Sequence, residues 1–301
     1  MRALRRLEQG ARRAPLRLLL AAWLLAGCPG EPAARAPEKV VALAPSNVEI
    51  LFALGLGDRL VGVGDYVTYP VAAVALPKLG GLYNPNLEAL AALEPDLVVL
   101  LESEKDLAGR LGALGIPSVT VDSDSLADTE AAFRTLAARM GVEAHGEVVV
   151  AAWKAALAPR PPPSGRPPRV LISLERPPGR PAELLSAGPG SFHAELLERL
   201  GAENLLADAP SAFPRVGLET ILGRAPEVIL EIAAEERTPA ERAALVADWA
   251  AFPDIPAVAA GRVQVIAGSH TLVPGPRLPQ LYAEMAEALK PDTAPAAGGP
   301  P

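Results

Sequence analysis

Two glutamates occupy matching places in two halves of the chain. Leu87-Glu88 opens a segment that passes through Pro95-Asp96 into the apolar run Leu97-Val98-Val99-Leu100, and Leu218-Glu219 opens another that passes through Pro226-Glu227 into Val228-Ile229-Leu230. The two glutamates lie 131 positions apart (219 − 88). This self-similarity predicts two related lobes, each with a Glu at the start of a helix. Two fixed carboxylates at matching places on paired lobes suit docking onto a symmetric partner. A Glu in the first turn also favours the positive end of a helix dipole, so a purely local role stays open for each.

The other chemistry-bearing residues suit binding better than catalysis. Aromatic residues are only 4% of the chain. Tyr66, Tyr69 and Tyr83 fall in loops that follow first-half strands, Phe213 precedes the Leu218-Glu219 helix, and Phe192 starts another helix. Open α/β lobes take ligands at the carboxyl ends of their strands. A large planar ligand there is held by aromatic faces with few polar fixings. His193 at a helix start and His270 in a loop are placed to reach such a groove; neither they nor His145 pair at metal-binding spacing. Arg277, in Gly275-Pro276-Arg277, is placed either to pair with a ligand phosphate or carboxylate or to cap the last helix. Phe52, Phe133 and Trp153 lie on apolar helical faces and read as core. No catalytic residue is identified: Ser191 in Gly188-Pro189-Gly190-Ser191-Phe192 lacks the flanking Gly of a nucleophile elbow. No Walker Gly-Lys-Ser/Thr occurs either.

The elements that position these residues read as strand and helix in alternation, an α/β pattern with parallel pairing. Strands are expected at Lys39–Leu43, Arg59–Val63, Asp96–Leu101, Pro117–Val121, Arg169–Leu174, Glu227–Ile232 and Val263–Ile266. Helices are expected at Val48–Leu54, Leu87–Leu93, Leu107–Leu114, Ser125–Met140 (capped by Ser125), Val142–Leu157, Ser191–Leu200, Leu218–Leu222, Glu241–Ala250 and Leu278–Leu289. The division is a leader at 1–28, a flexible tether at 29–38, an amino-terminal lobe at 39–124, a helical region at 125–158, a Pro-rich connector at 159–168, a carboxyl-terminal lobe at 169–290 and a disordered tail at 291–301.

The 301 residues allow about two domains, and a net charge of −7 argues against nucleic acid as a partner. Six arginines between Arg2 and Arg17 precede the uncharged apolar run Leu18–Ala26, which is too short to span a bilayer. The run ends in Leu25-Ala26-Gly27-Cys28, which resembles a bacterial lipobox, so Cys28 is the expected lipidated residue. An ordinary secretory leader with an unmodified Cys is the alternative. Because Cys28 is the chain's single cysteine, neither an internal disulfide nor a multi-thiolate metal site can form.

Six stretches together carry a family resemblance. Val41-Ala42-Leu43-Ala44-Pro45-Ser46-Asn47-Val48-Glu49-Ile50-Leu51-Phe52-Ala53-Leu54-Gly55, followed by Gly62-Val63-Gly64-Asp65-Tyr66-Val67-Thr68-Tyr69-Pro70, Gly80-Gly81, Asn84-Pro85-Asn86-Leu87-Glu88, Pro95-Asp96-Leu97-Val98 and Gly188-Pro189-Gly190-Ser191-Phe192, is similar to the substrate-binding proteins of ABC importers for cobalamin, haem and iron–siderophores. The cobalamin branch resembles it best, through Asp65-Tyr66, Tyr69-Pro70 and Phe213-Pro214. The resemblance implies two Rossmann-like lobes joined by a long bridging helix, the class III periplasmic-binding-protein type. Val142–Leu157 would be that bridge, roughly 24 Å long.

The resemblance also implies that Glu88 and Glu219 dock on the two subunits of a permease dimer, and that Tyr66 and Phe213 face the ligand. Tyr83 stands beside the position where relatives carry an aromatic residue, which here is Leu82. No cofactor is implied. The expected ligand is cobalamin or a related corrinoid, with haem or a ferric siderophore as the alternative. The protein would be an exported, monomeric receptor of the cell envelope, lipid-anchored to a membrane on its periplasmic or extracytoplasmic face, with slight lobe closure. Two other classes stay open: an envelope enzyme using Glu49 or His193 as acid–base, and an interaction lipoprotein without a small ligand.

Overall fold

The structure is a computed structural model; it describes residues 35–291 apart from 163, 164, 177, 178 and 182. The leader with Cys28, the start of the tether and the tail beyond 291 lie outside the described residues. Every contact below belongs to the body that begins at Pro37.

The first half supplies β1 (Val40–Ala42), α1 (Pro45–Ala53), β2 (Leu60–Val63), α2 (Val71–Val74), α3 (Leu87–Ala92), β3 (Leu97–Leu101), α4 (Lys105–Ala113) and β4 (Ser118–Val121). A helical pair follows, α5 (Leu126–Arg139) and α6 (Glu143–Ala156). The second half supplies β5 (Arg169–Glu175), β6 (Glu183–Ser186), α7 (Phe192–Arg199), β7 (Glu203–Asn204), β8 (Arg215–Gly217), α8 (Leu218–Arg224), β9 (Val228–Ala233), α9 (Pro239–Ala247), α10 (Pro256–Ala259), β10 (Val263–Ala267) and α11 (Leu278–Ala288).

Among the described residues the strands form two sheets. The first runs β2-β1-β3-β4 and is parallel throughout. The second runs β10-β9-β5-β6-β8, with β7 beside the start of β5. In the second sheet β10, β9, β5 and β7 are parallel, but β6 pairs antiparallel with both β5 and β8. The expectation of parallel pairing is therefore corrected for β6 and β8. These strands are four and three residues long, too short to show a hydrophobic period.

The internal repeat has a structural counterpart. The Pro-acid pair that follows α3 and α8 clamps the first strand of its own half. Asp96 accepts the backbone N–H groups of Glu38 and Lys39 on its carboxylate, both at 2.9 Å, and donates its own N–H to the Lys39 carbonyl at 2.8 Å. Glu227 accepts the Arg169 N–H at 3.0 Å and donates its own N–H to the Arg169 carbonyl at 2.8 Å. Both helices end in a left-handed residue that is not glycine, Glu94 at φ 48° and Ala225 at φ 47°.

Strand residues alternate between two buried faces, as they must in sheets covered on both sides. Val41, Leu43, Val98 and Leu100 pack with Leu107 and Leu111 on the outer face of the first sheet. Leu171, Ile229 and Trp249 do the same in the second. The inner faces are shared. Val40, Ala42, Leu97 and Val99 of the first sheet and Val170, Ile172, Val228 and Leu230 of the second belong to one continuous apolar core, which also takes in Phe133, Trp153, Phe192 and Tyr282.

The helical pair starts with a built cap. Ser125 accepts the Asp128 N–H at 3.0 Å and Asp128 accepts the Ser125 N–H at 3.1 Å, a reciprocal box. α6 then crosses between the lobes. Its 14 residues span about 21 Å. Its last turn meets the second half: the Trp153 indole donates to the Gly275 carbonyl at 3.0 Å, and Arg199 donates to the Leu157 carbonyl at 3.1 Å. Just beyond it, the Tyr282 hydroxyl donates to Ala158 at 2.7 Å.

Candidate functional site

The loops at the carboxyl ends of the parallel strands carry most of the predicted binding residues. The loop after β2 is pinned before it presents its tyrosines. Asp65 donates its N–H to the Gly80 carbonyl at 2.9 Å and accepts the Gly80 N–H at 3.0 Å. Lys78 donates to the Val67 carbonyl at 2.7 Å. Gly64 is required here, because a Cβ would lie 2.2 Å from the Leu43 carbonyl oxygen. From this frame Tyr66 and Tyr83 stand 67% and 76% exposed. On the second half Gly188 plays the same part: its N–H donates to Ala212 at 2.8 Å, and a Cβ would meet the Ser211 carbonyl at 2.2 Å. Phe213, in the segment so held, is 39% exposed.

The two halves are joined by charge where α1 faces the segment before α11. α1 starts at Pro45, directly after β1, three residues earlier than the sequence pattern suggests, because Pro is suited to the first helical position. Glu49 is buried within it. Arg277 meets Glu49 as a fork, Nε to Oε2 at 2.8 Å and Nη2 to Oε1 at 2.6 Å. Arg277 also donates to the Ser269 hydroxyl at 3.0 Å and to the Ser269 carbonyl at 3.1 Å. Its guanidinium lies 4.2 Å from the centre of the Tyr69 ring. Burial pushes the Glu49 carboxyl above the usual carboxylate range, opposed by its hydrogen bonds and charge contact with Arg277. The sequence leaves Arg277 open to a ligand anion or to a cap on the last helix; in the structure its fork is taken by Glu49.

The histidines are also committed. His193 is buried and stacked on Phe192 at 3.9 Å between ring centres, with Nε2 2.8 Å from the Thr271 carbonyl. A carbonyl can only accept, so Nε2 carries the proton. Nδ1 is buried without a partner, and burial depresses the imidazole pKa to about 4. His270 is buried with Nε2 2.8 Å from Glu284. Neither ring opens to the groove as the sequence suggests: His193 is held by Thr271 of the segment that links β10 to α11, and His270, within that segment, turns to Glu284 of α11.

A cavity of ≈520 Å³ opens at the carboxyl ends of β5 and β9, where the strand order of the second sheet reverses. Leu174, Ile232, Ala233, Leu245 and Leu272 line it. Its charged wall was not anticipated. Buried Arg176 donates to Glu231 at 2.7 Å, to Asp248 at 2.7 Å and to the Leu245 carbonyl at 3.0 Å. The Trp249 indole donates to the same Glu231 at 2.5 Å. The available signal was Glu231 itself, a charge inside the apolar run Val228–Ile232. A larger groove of ≈770 Å³ follows edge strand β10 and α11 and includes no residue of the first half. Among the described residues no group of three or more His, Cys, Asp or Glu side chains is arranged to hold a metal ion.

Glu88 and Glu219 are both exposed, each in the first turn of its helix. Asn86 caps α3 by accepting the Ala89 N–H at 3.0 Å, whereas Gly217 precedes α8 without a side-chain cap.

Several known proteins are similar to this chain. The uncharacterized ABC transporter substrate-binding lipoprotein YvrC of Bacillus subtilis is 29% identical over 314 residues, covering 92% of this chain and 96% of that protein. A cobalamin-binding protein of Halobacterium salinarum is 30% identical over 264 residues, covering 84% of this chain and 69% of that protein. Among solved structures, a periplasmic heme binding protein from Pseudomonas aeruginosa matches with a TM-score of 0.68 and 27% identity, over 85% of this chain and 94% of that one. The periplasmic binding protein family model matches residues 40–268. With that match across both sheets and the helix between them, the chain belongs to the periplasmic binding protein family.

Proposed function

We propose that this substrate-binding protein captures cobalamin or a related corrinoid between its lobes and delivers it to an ABC importer. It works as a solute receptor rather than an enzyme. The observation that carries the corrinoid reading is the pairing of exposed aromatic rings with occupied cations. Tyr66, Tyr69, Tyr83 and Phe213 offer apolar faces, while Lys78, Arg176 and Arg277 at the strand ends are spent on protein acceptors. A corrin edged with neutral amides is well served by aromatic walls. The propionates of haem and the oxygen-rich surface of a ferric siderophore ask for free cations. The cobalamin-binding relative supports this choice.

Haem is the second reading. It is favoured by the exposure of Tyr66 and Tyr83, whose phenolic oxygens are free to approach an iron, and by the heme-binding structure. Anchoring through Cys28 is part of the proposal and is supported by the lipobox pattern and by the lipoprotein relative. The partner would be a dimeric permease, approached by the protein as a monomer.

Calorimetric titration with cyanocobalamin, haemin and a ferric hydroxamate, each alone, tests the ligand. Micromolar or tighter binding of cyanocobalamin is expected; such binding by haemin or the siderophore alone refutes the corrinoid assignment. Cys28→Ser should leave that affinity unchanged and release the protein from the membrane fraction.

A further inference from the structure

We propose that Arg277, locked from the opposite lobe by Glu49, is a positioning residue that holds Tyr69 as one wall of the ligand cleft. The inference rests on the reading of the inter-lobe cleft as the ligand site. It concerns a residue that does not itself touch the ligand.

The geometry leaves Arg277 little freedom for any other task. A guanidinium has five N–H donors. Four hydrogen bonds are made here: two to the Glu49 carboxylate, one to the Ser269 hydroxyl and one to the Ser269 carbonyl. The guanidinium carbon lies over the Tyr69 ring, 4.2 Å from its centre. The Arg277 side chain is 15% exposed and that of Glu49 2%. This is a built-in assembly rather than a surface ion pair.

Tyr69 is the part of the assembly that meets solvent, at 43% exposure. The ring comes from the loop after β2, in the first half. Its support comes from Arg277 at the start of α11, in the second. The same linking segment carries Leu272 to the rim of the cavity at the ends of β5 and β9. A tyrosine on an unsupported loop samples several rotamers and must be fixed when a ligand arrives. Fixing one such side chain costs roughly two- to tenfold in affinity. A guanidinium held by four bonds against one face removes most of that cost in advance. Lysine cannot replace it, because an ammonium on a flexible stem keeps the charge but offers no planar face.

Arg277→Lys retains a cation for Glu49, so it tests the stacking without stranding a buried carboxylate. With cyanocobalamin and haemin as probes, calorimetry should show roughly five- to tenfold weaker binding of the responsive probe in Arg277→Lys. In a Tyr69→Ala background the same substitution should cost less than about twofold. An equal loss in both backgrounds overturns the inference. A readout without ligand separates this from failure of the cleft reading. In protein carrying 3-fluorotyrosine, the Tyr69 fluorine resonance should move in Arg277→Lys while that of Tyr83 stays in place. If neither probe binds the wild type, the cobalamin and haem readings are refuted and the fluorine spectra alone decide the positioning role. An unmoved Tyr69 resonance then overturns it.

Discussion

His193 shows how a residue with catalytic chemistry becomes structural. Its Nε2–H is given to Thr271, its Nδ1 is buried without a partner among the described residues, and burial disfavours the charged ring. The folded pKa of about 4 lies below the ordinary value of 6.5, mainly through burial. The unfolded chain therefore binds this proton at a higher pH than the native state does. The stabilisation is complete above about pH 6.5 and is lost as the pH falls toward 4. At about 1.4 kcal/mol per pKa unit, the loss is about 3 kcal/mol. Urea unfolding at pH 7 and pH 4 should show the wild type losing about that much more than His193→Gln, which keeps a donor for Thr271 but cannot titrate; equal losses rule the linkage out. Residue type and spacing were enough to single out His193, His270 and Arg277. Their partners could not be read, because Thr271, Glu284 and Glu49 come from distant or differently folded segments. Glu49 and Arg277 are 228 positions apart, and no local pattern links them.

Among the elements, the two Leu-Glu helices are the best test of how local rules meet the repeat. Each is short and ends on a left-handed residue before Pro, at Glu94 and Ala225. L-residues with a side chain pay roughly 1–2 kcal/mol for that conformation, while glycine occupies it freely and loses part of the gain to its larger unfolded entropy. The Ala225 N–H caps the helix through the Ile221 carbonyl at 3.0 Å, a backbone bond that a glycine keeps. Ala225→Gly is therefore expected to raise the unfolding free energy by about 0.5–1 kcal/mol, measured by urea titration; a fall in stability contradicts the strain assignment. The long apolar strands β3 and β9 and the periodic helices α5 and α11 were legible because burial dictates their pattern. β6, β7 and β8 were not, since each is specified by its neighbours in the sheet rather than by its own sequence. The Pro-acid pair was visible as a motif, but its function as a clamp on the first strand emerges only from the backbone bonds made by Asp96 and Glu227.

For the whole molecule, the decisive feature is that the lobes share one interior. The inner faces of both sheets meet in a single apolar cluster. It is reinforced across the halves by Glu49–Arg277, by the Phe192 N–H on the Asp124 carbonyl at 2.9 Å and by the Leu126 N–H on Glu195 at 2.8 Å. Separating the lobes would expose that core, so their relative position is fixed more firmly than a two-strand hinge would allow. A rigid body is what a two-point docking scheme requires. Glu88 and Glu219 stand exposed at equivalent places in the repeat, and neither forms an ion pair among the described residues. In the docking proposed for them, two carboxylates held at one separation would engage both halves of a symmetric permease at once, with the second contact strengthened by the first. Glu88→Lys with Glu219→Lys reverses both charges without touching the core or the cleft loops. The double variant should keep ligand affinity within about twofold and its unfolding free energy within about 0.5 kcal/mol, as is usual for exposed sites. It should abolish ligand-dependent uptake in cells that carry the cognate importer. Each single reversal should leave partial uptake, because one carboxylate still docks. Full uptake by the double variant would show that the twin glutamates are only helix-start residues, favoured locally by the dipole of α3 and α8.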